Sequence, residues 1–520
     1  MERKVEIYDT TLRDGAQMKG ISFSLTDKIK IVQLLDEIGI DYIEGGWPNS
    51  NPKDKEFFEK ASLLNFKNAK ITAFSMTCRK GKNPEEDDNL KELLLANVEI
   101  ITLVGKSWDL QVEKILGADL KENLRMIEES CKFFSSQGKR VFYDAEHFFD
   151  GFKSNQNYAL KTLQAAVKGG AERIILCDTN GGALPWEIKE IVLKTKRKVC
   201  IPLGIHTHND EGLAVANSII ALKEGAVQVQ GTINGYGERC GNADLCSIIP
   251  ILELKMGFRC LKENKITELV RISRCVSEIA NLKPNPSQPF VGKNAFTHKG
   301  GMHVDAMTKF KKSYEHIDPT LIGNFSKIVV SELSGKANIL NKANEFGVDL
   351  SIEETKKVLE KVKHLENKGF QFDGANASLE LLMRKAKSNY KPPFKVLDFT
   401  VLEQPKEKEN FTSKAMVKLS VNGKIIFSAA EGNGPVNALD VALRKALFLA
   451  YPQIKKIHLT DYKVRILNEK SGTAAQVRVL IDSSSNGNVW TTIGSSTDII
   501  KASWQAIIES LEYALIKHIV

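Results

Sequence analysis

The chain has no Cys-x-x-Cys pair. Its eight cysteines are scattered singly between Cys78 and Cys275, several of them inside apolar patterns. This excludes a paired-thiol zinc site and argues for buried thiols of a reduced compartment rather than a disulfide framework. No apolar run reaches the roughly 20 residues that a membrane span needs. A β-rich run starts within a few residues of Met1, which leaves no room for a signal peptide. A cytoplasmic protein with no membrane partner is the expectation. Blocks of basic residues interleaved with aromatics are also missing, although 73 Lys and Arg against 64 Asp and Glu give a net charge of +9. The charge is spread along the chain, so no nucleic-acid partner is expected, and a mildly basic surface suits the docking of an acidic cofactor.

What is present is ample core-forming material: 520 residues, 42% of them hydrophobic, enough for more than one domain. In the first half, short apolar runs alternate with longer amphipathic stretches. Strands are predicted at 5–8, 42–45, 71–74, 100–104, 140–143, 173–177, 202–205 and 227–231. Helices are predicted between them, among others at 25–38, 120–136, 158–168 and 212–224. Eight βα units in about 250 residues predict an α/β fold, a (β/α)8 TIM barrel, with active-site groups at the carboxyl ends of its strands.

Polar residues fall at those ends. Arg13 and Asp14 follow the first strand, Glu44 lies in the second, and Asp144 and Glu146 follow the fifth. Thr179 follows the sixth, His206 and His208 end the seventh, and the eighth runs into Thr232 through Asn242. Any one of these could cap a helix or form a turn. So many at one rim exceed what capping requires. A strand points residues i and i+2 to the same side, so His206 and His208 aim two imidazoles at one point, and imidazole suits a transition metal. Alone, the His-x-His pair reads equally well as two surface histidines, and Arg-Asp-Gly as an ordinary turn. Together, Asp14 could be the third ligand, with Arg13 placed to neutralise an oxyanion.

A helical pattern over 261–282 leads to a segment with Pro284, Pro286 and Pro289, read as a rigid linker. His303 and Tyr314 then lie in a Gly-rich setting that spacing alone reads as a surface loop. Two or three helices are expected over 339–387. From about Pro393 the character changes: alternating runs flank Asn422-Gly423 and again Asn486-Gly487, and a helix follows each hairpin, the first opened by Gly432-Asn433-Gly434-Pro435. Asn422 and Asn486, Ala438 and Ala502, and Ala442 and Ala506 share one spacing of 64 residues. This predicts an internal duplication of ββα units.

Three motifs, Asp-Thr-Thr-Leu-Arg-Asp-Gly-Ala-Gln at 9–17, His-Thr-His-Asn-Asp at 206–210 and Gly-Tyr-Gly-Glu-Arg-Cys-Gly-Asn at 235–242, resemble the signatures of the 2-isopropylmalate, citramalate and homocitrate synthase family, the Claisen-condensing DRE-TIM metallolyases. The stretches at 44–54 and 143–151 resemble its citramalate branch. The resemblance spans the chain and implies a catalytic barrel (1–260), linker and catalytic subdomains (261–392) and an allosteric dimerisation domain (393–520). It implies condensation of acetyl-CoA with pyruvate, thioester hydrolysis, and a homodimer inhibited by isoleucine. The divalent metal (Mn, Mg or Zn) would be held by Asp14, His206, His208 and Asn242. Arg13 would meet the keto oxygen and Thr179 the pyruvate carboxylate, with Glu44 and Glu146 holding the network. His303 and Tyr314 would assist enolisation, His303 being taken as the base. Gly432, Gly434 and Pro435 would receive the effector carboxylate. The strand ends near Phe74, Met76, Val104 and Asp144 depart from the family's usual side-chain pocket, which leaves 2-oxoisovalerate, with leucine as inhibitor, as the alternative. An acyl-CoA lyase on the same barrel is the rival of another class.

Overall fold

Eight short strands run parallel and close on themselves in a computed structural model that describes residues 3–262, 264–405 and 411–518. They are β1 (Glu6–Asp9), β2 (Tyr42–Gly46), β3 (Lys70–Met76), β4 (Ile100–Lys106), β5 (Arg140–Glu146), β6 (Arg173–Asp178), β7 (Leu203–Thr207) and β8 (Gln228–Gly231), and β8 pairs with β1 to shut the barrel. All eight expected strands are there. Several run further at the carboxyl end than the apolar pattern does, because the ladder continues under polar side chains: Val104 to Lys106 stay in register with Asp144 to Glu146. β6 is buried along its whole length, as a parallel strand covered on both faces must be.

The helices Leu25–Ile38 and Leu120–Ser136 fall where periodicity puts them. The helix expected from 158 instead begins at Phe148. Asn155 interrupts it with non-helical backbone (φ −145°, ψ 80°), and its side chain accepts from the Tyr158 amide at 3.1 Å, so the sequence shows the second half as a helix with its own cap. Gly151 lies in the first half because an added Cβ would come within 2.2 Å of the Ser107 carbonyl oxygen.

The chain divides into two compact units, Met1–Phe296 with Ile317–Phe325 and Thr297–His316 with Ser326–Val520. In the second, the segment that spacing reads as a surface loop carries the helix Gly301–Lys309 and a small parallel pair, β9 (Thr297–His298) with β10 (Lys327–Ile328). Three helices follow, Lys336–Phe346, Ile352–Asn367 and Asn376–Lys385.

The duplication then appears in full. One three-stranded antiparallel sheet contains β11 (Phe394–Pro405), β12 (Phe411–Val421) and β13 (Lys424–Gly432), followed by the helix Pro435–Phe448. The other contains β14 (His458–Ile466), β15 (Val477–Ser485) and β16 (Asn488–Ser496), followed by the helix Ile499–Ile516. The hairpin and helix read from sequence are each preceded by one more strand, so the repeat is βββα. Both hairpins turn through Asn-Gly with positive φ at both residues (49° and 78°, 50° and 82°), the two-residue turn whose twist matches the strands. Val417, Leu419, Val479 and Ile481 pack with Ala438, Ala442, Ala502 and Ala506 in one core, the alanines letting helix and sheet approach closely.

Candidate active site and metal centre

All eight strands, or the loops that leave them, contribute to a cavity of about 280 Å³ at the carboxyl rim of the barrel. After β1, Asp9 accepts from the Thr11 amide (2.9 Å) and hydroxyl (2.8 Å), and the Gly15 amide returns to the Thr10 carbonyl (3.0 Å). This tight turn swings Asp14 inward, where it is 3% exposed. His206 and His208 arrive from β7, as the i, i+2 alternation requires, and ligating atoms of Asp14, His206 and His208 all lie within 4.8 Å of one another. His206 Nε2 is 3.3 Å from Asp14 Oδ2, and Asn242 Nδ2 donates to the same oxygen at 2.8 Å. Asn242 is thus brought to the group with its amide nitrogen, not its oxygen, towards Asp14. It is held there by a bridge to His208 and by Gly241, whose φ of +90° and close approach to the Gly235 carbonyl (2.1 Å for an added Cβ) tolerate no side chain.

The residues fit a divalent cation. One carboxylate and two imidazoles are a suitable donor set, and His208 Nδ1 and Asn242 Oδ1 are buried without hydrogen-bond partners, which a native interior seldom leaves unexplained. Burial would raise the Asp14 pKa, but Arg13 and His206 more than reverse this and hold it well below the usual carboxylate range. Burial and the neighbouring His206 push His208 down to about 3, so it stays neutral and able to ligate. His206 is pulled down by burial and up by Asp14, with a net rise.

Arg13 is fixed from two sides. Its Nε donates to Glu44 Oε1 at 2.5 Å, its guanidinium carbon lies 3.9 Å from the Phe74 ring centre, and Trp47 meets that ring edge-on at 5.8 Å. Glu44, fully buried, takes the Tyr8 hydroxyl on its other oxygen at 2.8 Å, and the same hydroxyl reaches Thr72 and Thr102 at 2.7 Å each. Thr179 Oγ1 accepts from the His147 amide at 2.8 Å, leaving its own O–H free to donate. Glu146 pairs with Lys106 at 2.7 Å on the cavity wall. Burial, with the charge of Glu44 adding to it, pushes Asp144 up to about 7.

His303 and Tyr314 belong to the second unit, where they stack on each other with ring centres 4.0 Å apart. Gly432 and Gly434 precede the helix that Pro435 opens, and its N-terminus has no side-chain cap. At Gly432 an added Cβ would fall 2.5 Å from the Ala438 amide, whereas Gly434 has open space around it. Sequence reasoning missed Lys106 and Gln230. Both could have been found by alternation, Lys106 two residues beyond Val104 on β4 and Gln230 two beyond Gln228 on β8.

Residues 4–276 match the HMGL-like family, 290–369 the homocitrate synthase post-HMGL domain-like family, and 373–515 the LeuA allosteric (dimerisation) domain. An (R)-citramalate synthase of Geobacter sulfurreducens is 51% identical over 516 residues, covering 99% of this chain and 98% of that protein. The chain belongs to the HMGL-like family, in the group of the (R)-citramalate synthases. Another (R)-citramalate synthase, from Aquifex aeolicus, is 50% identical over 521 residues, covering 99% of each chain. A probable 2-isopropylmalate synthase of Archaeoglobus fulgidus is 30% identical over 516 residues, covering 98% of this chain and 97% of that protein. Among solved structures, hydroxymethylglutaryl-CoA lyase from Pseudomonas aeruginosa is similar over 55% of this chain and 95% of its own, with 17% identity and a TM-score of 0.47. No helix among the described residues is long and apolar enough to cross a membrane.

Proposed function

We propose that this chain is an (R)-citramalate synthase, joining acetyl-CoA to pyruvate and hydrolysing the thioester to citramalate and CoA. The observation that carries the reading is near-50% identity along the whole chain to proteins of that name, against 30% to a probable 2-isopropylmalate synthase. The reaction needs a methyl proton removed and a keto carbon made electrophilic. A positioned base typically supplies about 10² to 10⁴ in rate, so a second device is needed.

Asp14, His206 and His208 would hold a divalent cation, with Asn242 as a fourth contact once its amide is turned to present Oδ1. Such a cation supplies Lewis acidity towards a bound keto acid. Arg13, immobilised by Glu44 and Phe74, is aimed to donate to the keto oxygen as it gains charge. The free hydroxyl hydrogen of Thr179 suits the pyruvate carboxylate. Glu146 and the stacked pair His303 and Tyr314 would serve enolisation, with His303 taking the methyl proton. The domain division at 260 and 392 is carried with this reading.

Isoleucine is the proposed effector of a homodimer, its carboxylate meeting the uncapped helix at Gly432, Gly434 and Pro435. The test is CoA thiol release with Mn²⁺ and pyruvate, 2-oxobutyrate, 2-oxoisovalerate or 2-oxoglutarate, with and without isoleucine or leucine. Turnover of pyruvate inhibited by isoleucine is expected. Preference for 2-oxoisovalerate with leucine inhibition would move the chain to the isopropylmalate reaction, and no turnover of any keto acid would overturn the condensing reading.

A further inference from the structure

Two polar side chains inside the barrel belong to none of the roles above. Gln230, fully buried on β8, places Oε1 at 2.9 Å from His206 Nδ1 and donates from Nε2 to Asp144 Oδ1 at 3.1 Å. Asp144, on β5, is itself 3% exposed. The amide stands with its NH₂ end on Asp144, whose carboxyl group can offer an accepting oxygen in either protonation state, and with its carbonyl end on His206. A carbonyl oxygen only accepts, so His206 Nδ1 must carry a hydrogen. In the neutral ring this leaves the lone pair on Nε2, the nitrogen that faces Asp14 at 3.3 Å.

We infer that Asp144 and Gln230 form a relay that sets the tautomer and ring orientation of His206 for cation binding. The inference rests on the metal reading above. Gln230 and Asp144 are positioning residues here, since they act through His206. Outer partners of this kind typically change metal affinity by about 10- to 100-fold when removed. An Nδ1–H that a histidine ligand donates most often goes to a carboxylate, a main-chain carbonyl or water. Here the carboxylate stands one side chain further away, with the amide carrying its direction across the barrel.

The experiment is a Mn²⁺ titration followed by the loss of the free-ion EPR signal, on the full chain in wild-type form and as Q230L, D144N and the double variant D144N/Q230E. Q230L keeps the volume and removes the acceptor, so its Mn²⁺ affinity should fall about 10- to 100-fold. D144N presents both an acceptor and a donor to Gln230, so the amide is no longer held to one orientation, and affinity should fall, though less than in Q230L. In the double variant the carboxylate introduced on β8 accepts from both His206 Nδ1 and the amide introduced on β5, so affinity should return to near the wild-type level. A general packing defect would not be rescued by combining the two changes. Should Q230L not fold, D144N and the double variant carry the comparison. Mn²⁺ binding by Q230L or D144N as tight as by the wild type, or no recovery in the double variant, would overturn the relay alone. A wild-type protein that binds no Mn²⁺ would overturn the metal reading and the relay with it.

Discussion

At the scale of single residues, the site depends on groups held by more than one neighbour. Arg13 has a carboxylate on its edge and an aromatic ring against its face, and the ammonium of a lysine, lacking a planar guanidinium, does not make both contacts at once. Arg13→Lys should therefore lower kcat by about 10² to 10³, with the KM for acetyl-CoA little changed, as read by thiol release. His208→Ala removes one of three clustered donors. Its expected signature is loss of saturable Mn²⁺ binding with the secondary structure by circular dichroism unchanged. The residues forming the cluster were legible in the sequence because alternation along a strand fixes direction: His206 and His208 had to share a side. The direction of Asn242 was not legible, because a loop shaped by Gly235 and Gly241 sets it and no periodicity applies there. His303 and Tyr314 entered only through resemblance, since nothing in their spacing announces the stacking that brings their rings together.

At the scale of elements, the strands that escaped sequence reasoning share a physical cause. β11 and β14 are the leading edge strands of the two repeats, and each carries a register shift, between Val396 and Asp398 in one and between Leu459 and Asp461 in the other. A bulge breaks the two-residue alternation, and β14 is largely exposed, so the pattern that identifies a half-buried strand is absent there. The hairpins beside them, with Asn-Gly turns and clean alternation, were plain. Between the linker and the second repeat, the helix Asn376–Lys385 is tied to the helix Ile499–Ile516 by polar side chains: Ser378 to Glu509, Lys385 to Glu512 at 2.7 Å, and Tyr513 to Glu380 at 3.2 Å. Burial pushes Glu509 up to about 7, against the pull of Lys385 and Ser378. Its folded-state pKa thus lies above the ordinary value of about 4.3. The folded protein holds the proton more tightly, and stability contributed by the neutral carboxyl is present below that ordinary value and lost as pH rises through about 7. Glu509→Gln should flatten this part of the profile, so that the variant's melting temperature exceeds the wild type's at pH 8 and the gap closes at pH 4.5.

At the scale of the whole molecule, the barrel was legible because parallel strands buried on both faces read as apolar runs between amphipathic helices. The division into two units was less so, because Ile317–Phe325 returns to the first unit after a segment belonging to the second, and a linear reading of domain boundaries has no sign for such an excursion. If the clustered donors hold a cation, saturating Mn²⁺ should raise the unfolding temperature and EDTA should lower it. A hundredfold excess of ligand over Kd is worth about 2.7 kcal/mol. Equal melting curves with Mn²⁺ and with EDTA would contradict that coupling.

The hydrogen bond between Asn242 and Asp14 spans 228 positions of the chain and sits where β8 closes onto β1. Asp14 leaves the ribosome early, the two histidines much later, and Asn242 later still. A growing chain that has made seven strands has all three ligating residues yet lacks the strand that brings Asp14 back to the histidines. Capture of the ion would then belong to the finished ring, a stamp that synthesis has passed the eighth strand and that the ring has closed in the right register.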